Sequence, residues 1–245
     1  MAKQKSLFPY SGQLRDLIGY ERNGEHFLRR RPEIVRQTAA TRRAAQRFGV
    51  ASRKAAMIRK AFYHELDIRC DNGHINRLNK LMINAAGNNT AITGFRFNQH
   101  AGTDRFFTVA PRLFRNEVLH IPPQILARYK GITMLEVKVI AARIDFNTHQ
   151  VIGTETAMLM IDPRESFEGA NISLNVRGEG TLVVALQVCG MYKNGPSCNR
   201  KYLAADIIAV AVPQMPECFK PGYPQGTTSA LETVPDAGPA IVQRE

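Results

Sequence analysis

Eleven basic side chains lie within residues 29–60, and their type and density suit the binding of phosphate or carboxylate groups. Glu33 is the one acid in this stretch, which therefore carries +10 of the chain's formal charge of +12. Nine of the eleven are arginines, whose planar guanidinium can hold either anion with two parallel hydrogen bonds. The candidate binding residues are Arg29, Arg30, Arg31, Arg36, Arg42, Arg43, Arg47, Arg53, Lys54, Arg59 and Lys60.

This basic stretch is open to three interpretations. It can neutralise the phosphates of a nucleic acid, with contacts to the backbone rather than to bases. It can dock onto an acidic protein surface, as basic arms do in multisubunit particles. It can also be a solvated helix face whose charge only aids solubility.

One group of residues has the types, but not the spacing, of metal ligands. His64 and Asp67 could share a helix face, whereas Asp71 and His74 fall across the turn Asp71-Asn72-Gly73. Neither zinc-protease nor EF-hand spacing is met, and the four cysteines include no C-x-x-C pair. We predict no metal site and assign these residues to helix ends and a turn.

Catalytic signatures are not found in the sequence. G-x-S-x-G, G-x-x-x-x-G-K and G-x-G-x-x-G do not occur. Asp206 is a carboxylate in the apolar run 204–208, and we predict that it faces solvent, with Tyr202, on the outer side of an edge strand. We therefore expect no catalytic residue, no cofactor and no enzyme activity; a site assembled from distant residues is the less favoured alternative.

Helical periodicity indicates the element that positions most of the basic residues. Between residues 33 and 66 apolar or small residues recur in steps of three and four, which predicts a helix with one narrow apolar stripe. Gly49 weakens this helix and could divide it into two. A second helix is predicted over residues 75–86. The stripe consists of Ala40, Ala44, Phe48, Ala51, Ala55, Ile58 and Phe62.

Segments with strand-forming patterns precede and follow these predicted helices in the sequence. Asn23-Gly24 between apolar runs predicts a β-hairpin over residues 12–31. After residue 104, β-branched runs separated by turns predict about seven strands, which favours an antiparallel sandwich. The predicted fold is α+β: an N-terminal β-hairpin and basic helices followed by an antiparallel β-sandwich. The predicted strands cover 105–110, 117–121, 133–146, 151–161, 171–176, 181–191 and 201–212.

Composition divides the predicted chain into three parts. Residues 1–102 hold the hairpin and the basic helical region, and residues 103–212 form the sandwich body. Residues 213–245 contain six of the thirteen prolines, so we predict a disordered tail. The first ten residues do not have a secretory apolar run, and no apolar stretch of membrane-spanning length occurs. We expect the protein in the cytoplasm, or in a particle assembled there, and not in a membrane.

Several short motifs occur in a familiar order. They are Gly-Tyr-Glu-Arg-Asn-Gly-Glu at 19–25, Arg-Arg-Arg-Pro at 29–32, Gln-Thr-Ala-Ala-Thr-Arg-Arg at 37–43, and a late strand pair around Lys-Asn-Gly at 193–195. In this layout the chain resembles uncharacterised Bacteroidota proteins that have a glycine-rich hairpin, a basic helix and a β-sandwich-like C-terminal half. The resemblance implies that fold and carries no activity and no functional residue.

These observations predict a non-enzymatic structural, assembly or binding protein whose basic N-terminal helix docks a polyanionic partner. The alternative is a nucleic-acid-binding protein that grips the phosphate backbone through residues 29–60. A nearly neutral body with a one-sided arginine-rich helix is more useful to an assembly than to a lone monomer. We therefore expect a homo-oligomer or a subunit of a larger assembly.

Overall fold

The computed structural model describes residues 2–5, 8–33 and 37–213. Arg36 and the predicted proline-rich tail beyond Pro213 lie outside these ranges. Within the described ranges, the strands of every sheet pair in antiparallel orientation.

The predicted N-terminal hairpin is present and belongs to a four-stranded sheet of order β1-β4-β3-β2. Asn23 and Gly24 both have positive φ, 54° and 76°, as a two-residue type I′ turn requires. Among the described residues of this sheet only Gly19 is buried, so the sheet has almost no core of its own. Its strands are β1 (Ala2–Lys3), β2 (Gly12–Leu14), β3 (Leu17–Arg22) and β4 (Glu25–Arg30).

The basic helix α1 (Ala39–Phe62) is shorter than predicted and undivided. It begins after Thr38, whose hydroxyl accepts a hydrogen bond from the amide of Thr41 at 3.2 Å, because a threonine satisfies the free amides of a first turn. The helix runs through Gly49 without interruption, so the predicted division there does not occur.

Helix α2 (His74–Asn84) packs beside the second half of α1. Leu78 and Met82 face the core, as their helical spacing predicts. A bidentate ion pair joins Arg77 on this helix to Asp71 in the preceding turn.

A five-stranded sheet forms the centre of the C-terminal half. Its middle strands are flanked on both sides, so β12 is buried at every position from Thr181 to Gly190. Because both faces of β12 are covered, its sequence is a nearly continuous apolar run and not an alternating one. The strands are β8 (Met134–Asp145), β9 (Gln150–Ile161), β12 (Thr181–Tyr192), β13 (Gly195–Pro196) and β14 (Leu203–Ala211), in the order β9-β8-β12-β14, with β13 paired to the end of β12.

Two smaller sheets complete the body. The three-stranded sheet has the order β11-β6-β5, and β7 pairs with β10. The predicted strand at 105–110 is not formed, since the backbone there begins with a 3-10 turn, Thr103–Arg105. The strands are β5 (Arg112–Leu113), β6 (Val118–Ile121), β7 (Gln124–Ile125), β10 (Ser166–Phe167) and β11 (Ala170–Ser173).

The two faces of the central sheet each cover a hydrophobic core. Ile140 and Val183 pack toward α1 and α2, whereas Leu182 and Val184 pack toward the three-stranded sheet. This alternation follows from the two-residue period of a strand. The α+β class with an antiparallel sandwich half, predicted from sequence, is confirmed.

The helices share their core with the sandwich. Ala55, Ile58 and Phe62 of α1 belong to the same cluster as Ile140 and Ile207. The predicted boundary between residues 102 and 103 therefore passes between segments that are packed together, and the described residues up to Pro213 form one compact unit.

Candidate binding surface

The first half of α1 stands clear of the core. Every described residue from Gln37 to Val50 is exposed except Gly49, which is half-buried, whereas burial begins at Ala51. At 1.5 Å per residue, the twelve residues 39–50 extend about 18 Å. The apolar stripe predicted from sequence is thus divided: its second half is buried, and Ala40, Ala44 and Phe48 continue it into solvent.

Arginines on this exposed half have no counter-charge among the described residues. Arg42, Arg43 and Arg47 are exposed, and no acidic side chain in the described part of the chain lies within ion-pair distance of them. Their field is therefore available to an external anion over a Debye length of about 8–10 Å at physiological salt.

The other candidate residues of α1 have mixed environments. Arg53 and Lys60 are exposed. The ammonium of Lys54 donates to Oδ1 of Asn89 at 3.0 Å and lies 5.5 Å from the centre of the Phe146 ring. Arg59 is half-buried, and its Nη1 finds no hydrogen-bond partner among the described residues. Of these four residues, only Arg53 and Lys60 therefore add freely accessible charge.

Three other candidate arginines precede α1 in the sequence and lie at the end of β4 in the four-stranded sheet. Arg29 is over the ring of Tyr20 at 6.0 Å, and Arg30 pairs with Glu33 at 3.4 Å. Arg31 is exposed. Arg36 lies outside the described residues.

An apolar groove adjoins the exposed arginines. It has a volume of about 430 Å³ and lies between α1 and the end of α2. Val50, which is 49% exposed, and Ile83, which is 38% exposed, form part of its wall, and Arg47 and Lys54 add positive charge to the lining. This arrangement can hold an aliphatic side chain flanked by carboxylates.

The residues considered as metal ligands are all engaged in other contacts, apart from the exposed His64. Asp67 pairs with Lys138 at 3.0 Å, and Asp71 pairs with Arg77 at 2.7 Å. His74 bonds to the Tyr63 hydroxyl and to the Asp71 carbonyl. Within the described residues no three His, Cys, Asp or Glu side chains come together as a metal-binding group. These contacts stabilise the junction between α1, α2 and the sheet.

The predicted environment of Asp206 is wrong. The sequence indicated a solvent-facing carboxylate on an edge strand, but Asp206 is 6% exposed. Residues 94–97 run along β14 and cover its edge, with the Gly94 amide donating to the Ile207 carbonyl at 2.7 Å. Ala204 and Ile208, the apolar neighbours two positions away on the same face, were the available signal for burial.

Comparisons with known proteins give no match for this chain. None of the described helices has the length and apolar character needed to cross a bilayer. No protein-family model, no curated protein and no solved structure matches this sequence or its fold.

Proposed function

We propose that this chain is a non-enzymatic binding protein of a larger assembly, and that the first half of α1 docks onto an acidic protein surface. The observation that carries the proposal is the exposed helix half at 39–50, which combines an apolar stripe with arginines that pair with no acidic side chain of the described residues. An isolated helix of that length is marginal in water, so a partner that covers its stripe would stabilise it.

The groove favours a protein partner over a nucleic acid. Phosphate-backbone contacts need positive charge but no apolar cavity. Val50 and Ile83 beside Arg47 and Lys54 instead suit an amphipathic segment with leucine-like and acidic side chains. The alternative, binding of nucleic acid through residues 29–60, rests on the charge alone. Our proposal places the protein in the cytoplasm, or in a particle assembled there, as a homo-oligomer or a subunit.

A binding titration with three probes tests the proposal. The probes are a labelled amphipathic helical peptide of glutamate and leucine, poly-L-glutamate, and duplex DNA, each at three salt concentrations. We expect the amphipathic peptide to bind tightest. The variant Arg42→Glu/Arg43→Glu/Arg47→Glu should weaken this binding by roughly ten- to a hundredfold, because three exposed ion pairs each contribute up to about 1 kcal/mol.

Two control variants make the result specific. Arg112→Glu/Arg115→Glu/Lys193→Glu makes the same change in net charge at exposed positions elsewhere and should leave the affinity nearly unchanged. Val50→Ser/Ile83→Ser should weaken the amphipathic peptide by about tenfold, because apolar burial is lost, without changing DNA binding. Tightest binding to DNA, with affinity falling by about 0.9 log units per log unit of salt for each phosphate contacted, would support the alternative instead.

A further inference from the structure

A cavity beside the middle of β14 is separate from the surface of α1. Its volume is about 240 Å³, which is several times the roughly 30 Å³ that a water molecule occupies in the liquid. Phe107 and Ile208 line it with hydrocarbon, while Thr103, Asp104 and Asp206 contribute polar groups. Asp104 is exposed, so the cavity reaches the surface.

Asp206 is the buried charged residue of this cavity, and only one of its carboxylate oxygens has hydrogen-bond partners among the described residues. Its side chain is 8% exposed. Oδ2 accepts hydrogen bonds from the amide and the hydroxyl of Thr103, at 2.7 and 3.0 Å. Oδ1 is buried and has no hydrogen-bond partner among the described residues. A buried carboxylate oxygen without a donor is costly, and native proteins rarely leave one unpaired.

The charge of Asp206 is also incompletely neutralised. Arg96 is the nearby cation, but its Nη2 is held by Asp104 at 2.9 Å, and its Nε lies 3.9 Å from Oδ2 of Asp206. One guanidinium thus faces two carboxylates, which leaves net negative charge at the cavity. Burial raises the pKa of the Asp206 carboxyl, in keeping with a charge that lacks a close counter-ion.

We propose that this cavity binds an alkylammonium or alkylguanidinium group, with the cation donating to Asp206 and the hydrocarbon chain against Phe107 and Ile208. A divalent metal is a poorer fit, because calcium and magnesium take six or more oxygen ligands and this cavity offers two carboxylates in a largely apolar wall. An anion is excluded by the charge. The cation has two chemical sources: a free small amine, or a lysine or arginine side chain of another polypeptide.

Amide chemical shifts of the full-length ¹⁵N-labelled chain test this site directly. The Thr103 amide donates to Asp206 and so reports on that carboxylate. The probes are n-butylammonium chloride, n-butanol as a neutral molecule of the same shape, and sodium chloride at matched ionic strength. We expect a saturable shift of Thr103 with butylammonium, at least about tenfold tighter than with butanol, because only the cation supplies a charge-assisted hydrogen bond.

Variants locate the effect, and a peptide identifies the source of the cation. Asp206→Asn should weaken butylammonium about tenfold, while Asp16→Asn, an exposed site with the same charge change, should leave it unchanged. Tighter binding of capped Gly-Lys-Gly than of butylammonium points to a side chain of another polypeptide, and weaker binding points to a free amine.

Equal affinity for butylammonium and butanol, or no saturable shift of Thr103 with either, overturns the proposal. The comparison of butylammonium with butanol uses the unmodified chain, so it decides the matter even where Asp206→Asn fails to fold.

Discussion

At the scale of single residues, Asp71 joins three segments through one carboxylate. It is 4% exposed, and its two oxygens accept from both Nη atoms of Arg77, at 2.7 and 2.8 Å. The amides of Gly73 and Gln99 donate to it as well, at 2.7 and 3.0 Å. The turn before α2 is thereby fixed to the segment that covers the edge of β14.

Asp71→Asn is expected to lower the free energy of unfolding by about 2–3 kcal/mol at neutral pH, because it removes charge-assisted hydrogen bonds from a buried group. The hydrogen bonds from Arg77 hold the pKa of Asp71 well below its usual range. A carboxyl with a lowered native pKa stabilises fully above its unfolded pKa of about 4 and loses that contribution as the pH falls. Urea unfolding should therefore show the difference between the two proteins shrinking by about 1 kcal/mol between pH 7 and pH 3.

Asp162→Asn provides the matched comparison for this prediction. Asp162 also pairs with an arginine, Arg164, but that arginine side chain is 65% exposed, so solvent and salt screen the interaction. The hydrogen bond from Arg164 also lowers the pKa of Asp162, to about 2, so the pH dependence has the same sign. Because the pair is screened, its loss should change the free energy of unfolding far less than Asp71→Asn does. If both variants were equally destabilised, or if Asp71→Asn kept a constant difference across pH, the carboxylate of Asp71 would not be the group that joins these segments.

At the scale of elements, the exposed first half of α1 contains a helix-weakening glycine, Gly49. A β-carbon added to Gly49 would meet nothing within 4 Å. Gly49→Ala should therefore stabilise the exposed half by about 1 kcal/mol through helix propensity alone, and raise hydrogen-exchange protection over residues 40–50 about fivefold. Ala45→Gly lies in the same exposed half and should lower protection by a similar factor. Unchanged protection in both variants would mean that residues 40–50 exchange without a helix-opening step.

Local patterns predicted those elements that local physics determines. Asn23-Gly24 indicated its hairpin because few other dipeptides take two positive φ values in succession. Spacing of three and four indicated α1, although the start at Ala39 depended on the Thr38 cap. By contrast, the burial of Asp206 depends on Thr103 and on residues 94–97, which are about a hundred positions away in sequence. Single-sequence periodicity carries no information about such pairings.

The binding surface was predictable in composition but not in arrangement. All the arginines of the exposed half of α1 were candidates from charge alone. The sequence could not indicate that the apolar stripe would be half covered, because coverage depends on where the sheet ends under the helix. It also gave no sign of the groove, since Ile83 reaches Val50 only through the packing of α2 on α1.

At the scale of the whole molecule, the sandwich depends on the helices for half of its core. Ile140, Val183 and Ile207 pack against α1 and α2 on one face of the central sheet. Gln187, which is 0% exposed, bonds to Asp67 through both its oxygen and its nitrogen. Removal of residues 37–102 would expose this apolar face and leave a buried amide without partners.

We therefore expect a fragment of residues 103–213 not to fold, whereas a fragment of residues 37–213 should unfold cooperatively near the temperature of the whole chain. Apart from residues 214–245, which the first fragment lacks as well, the second fragment lacks only residues 1–36. Among the described residues of the N-terminal sheet Gly19 alone is buried, so little core is lost with that sheet. Differential scanning calorimetry of both fragments measures this directly. A cooperative transition in 103–213 at the temperature of the whole chain would show that the sandwich is an independent domain and that α1 and α2 are only attached to it. Failure of 37–213 to fold would show instead that residues outside this fragment stabilise the body, and a fragment of residues 37–245 would then separate the contribution of the N-terminal sheet from that of residues 214–245.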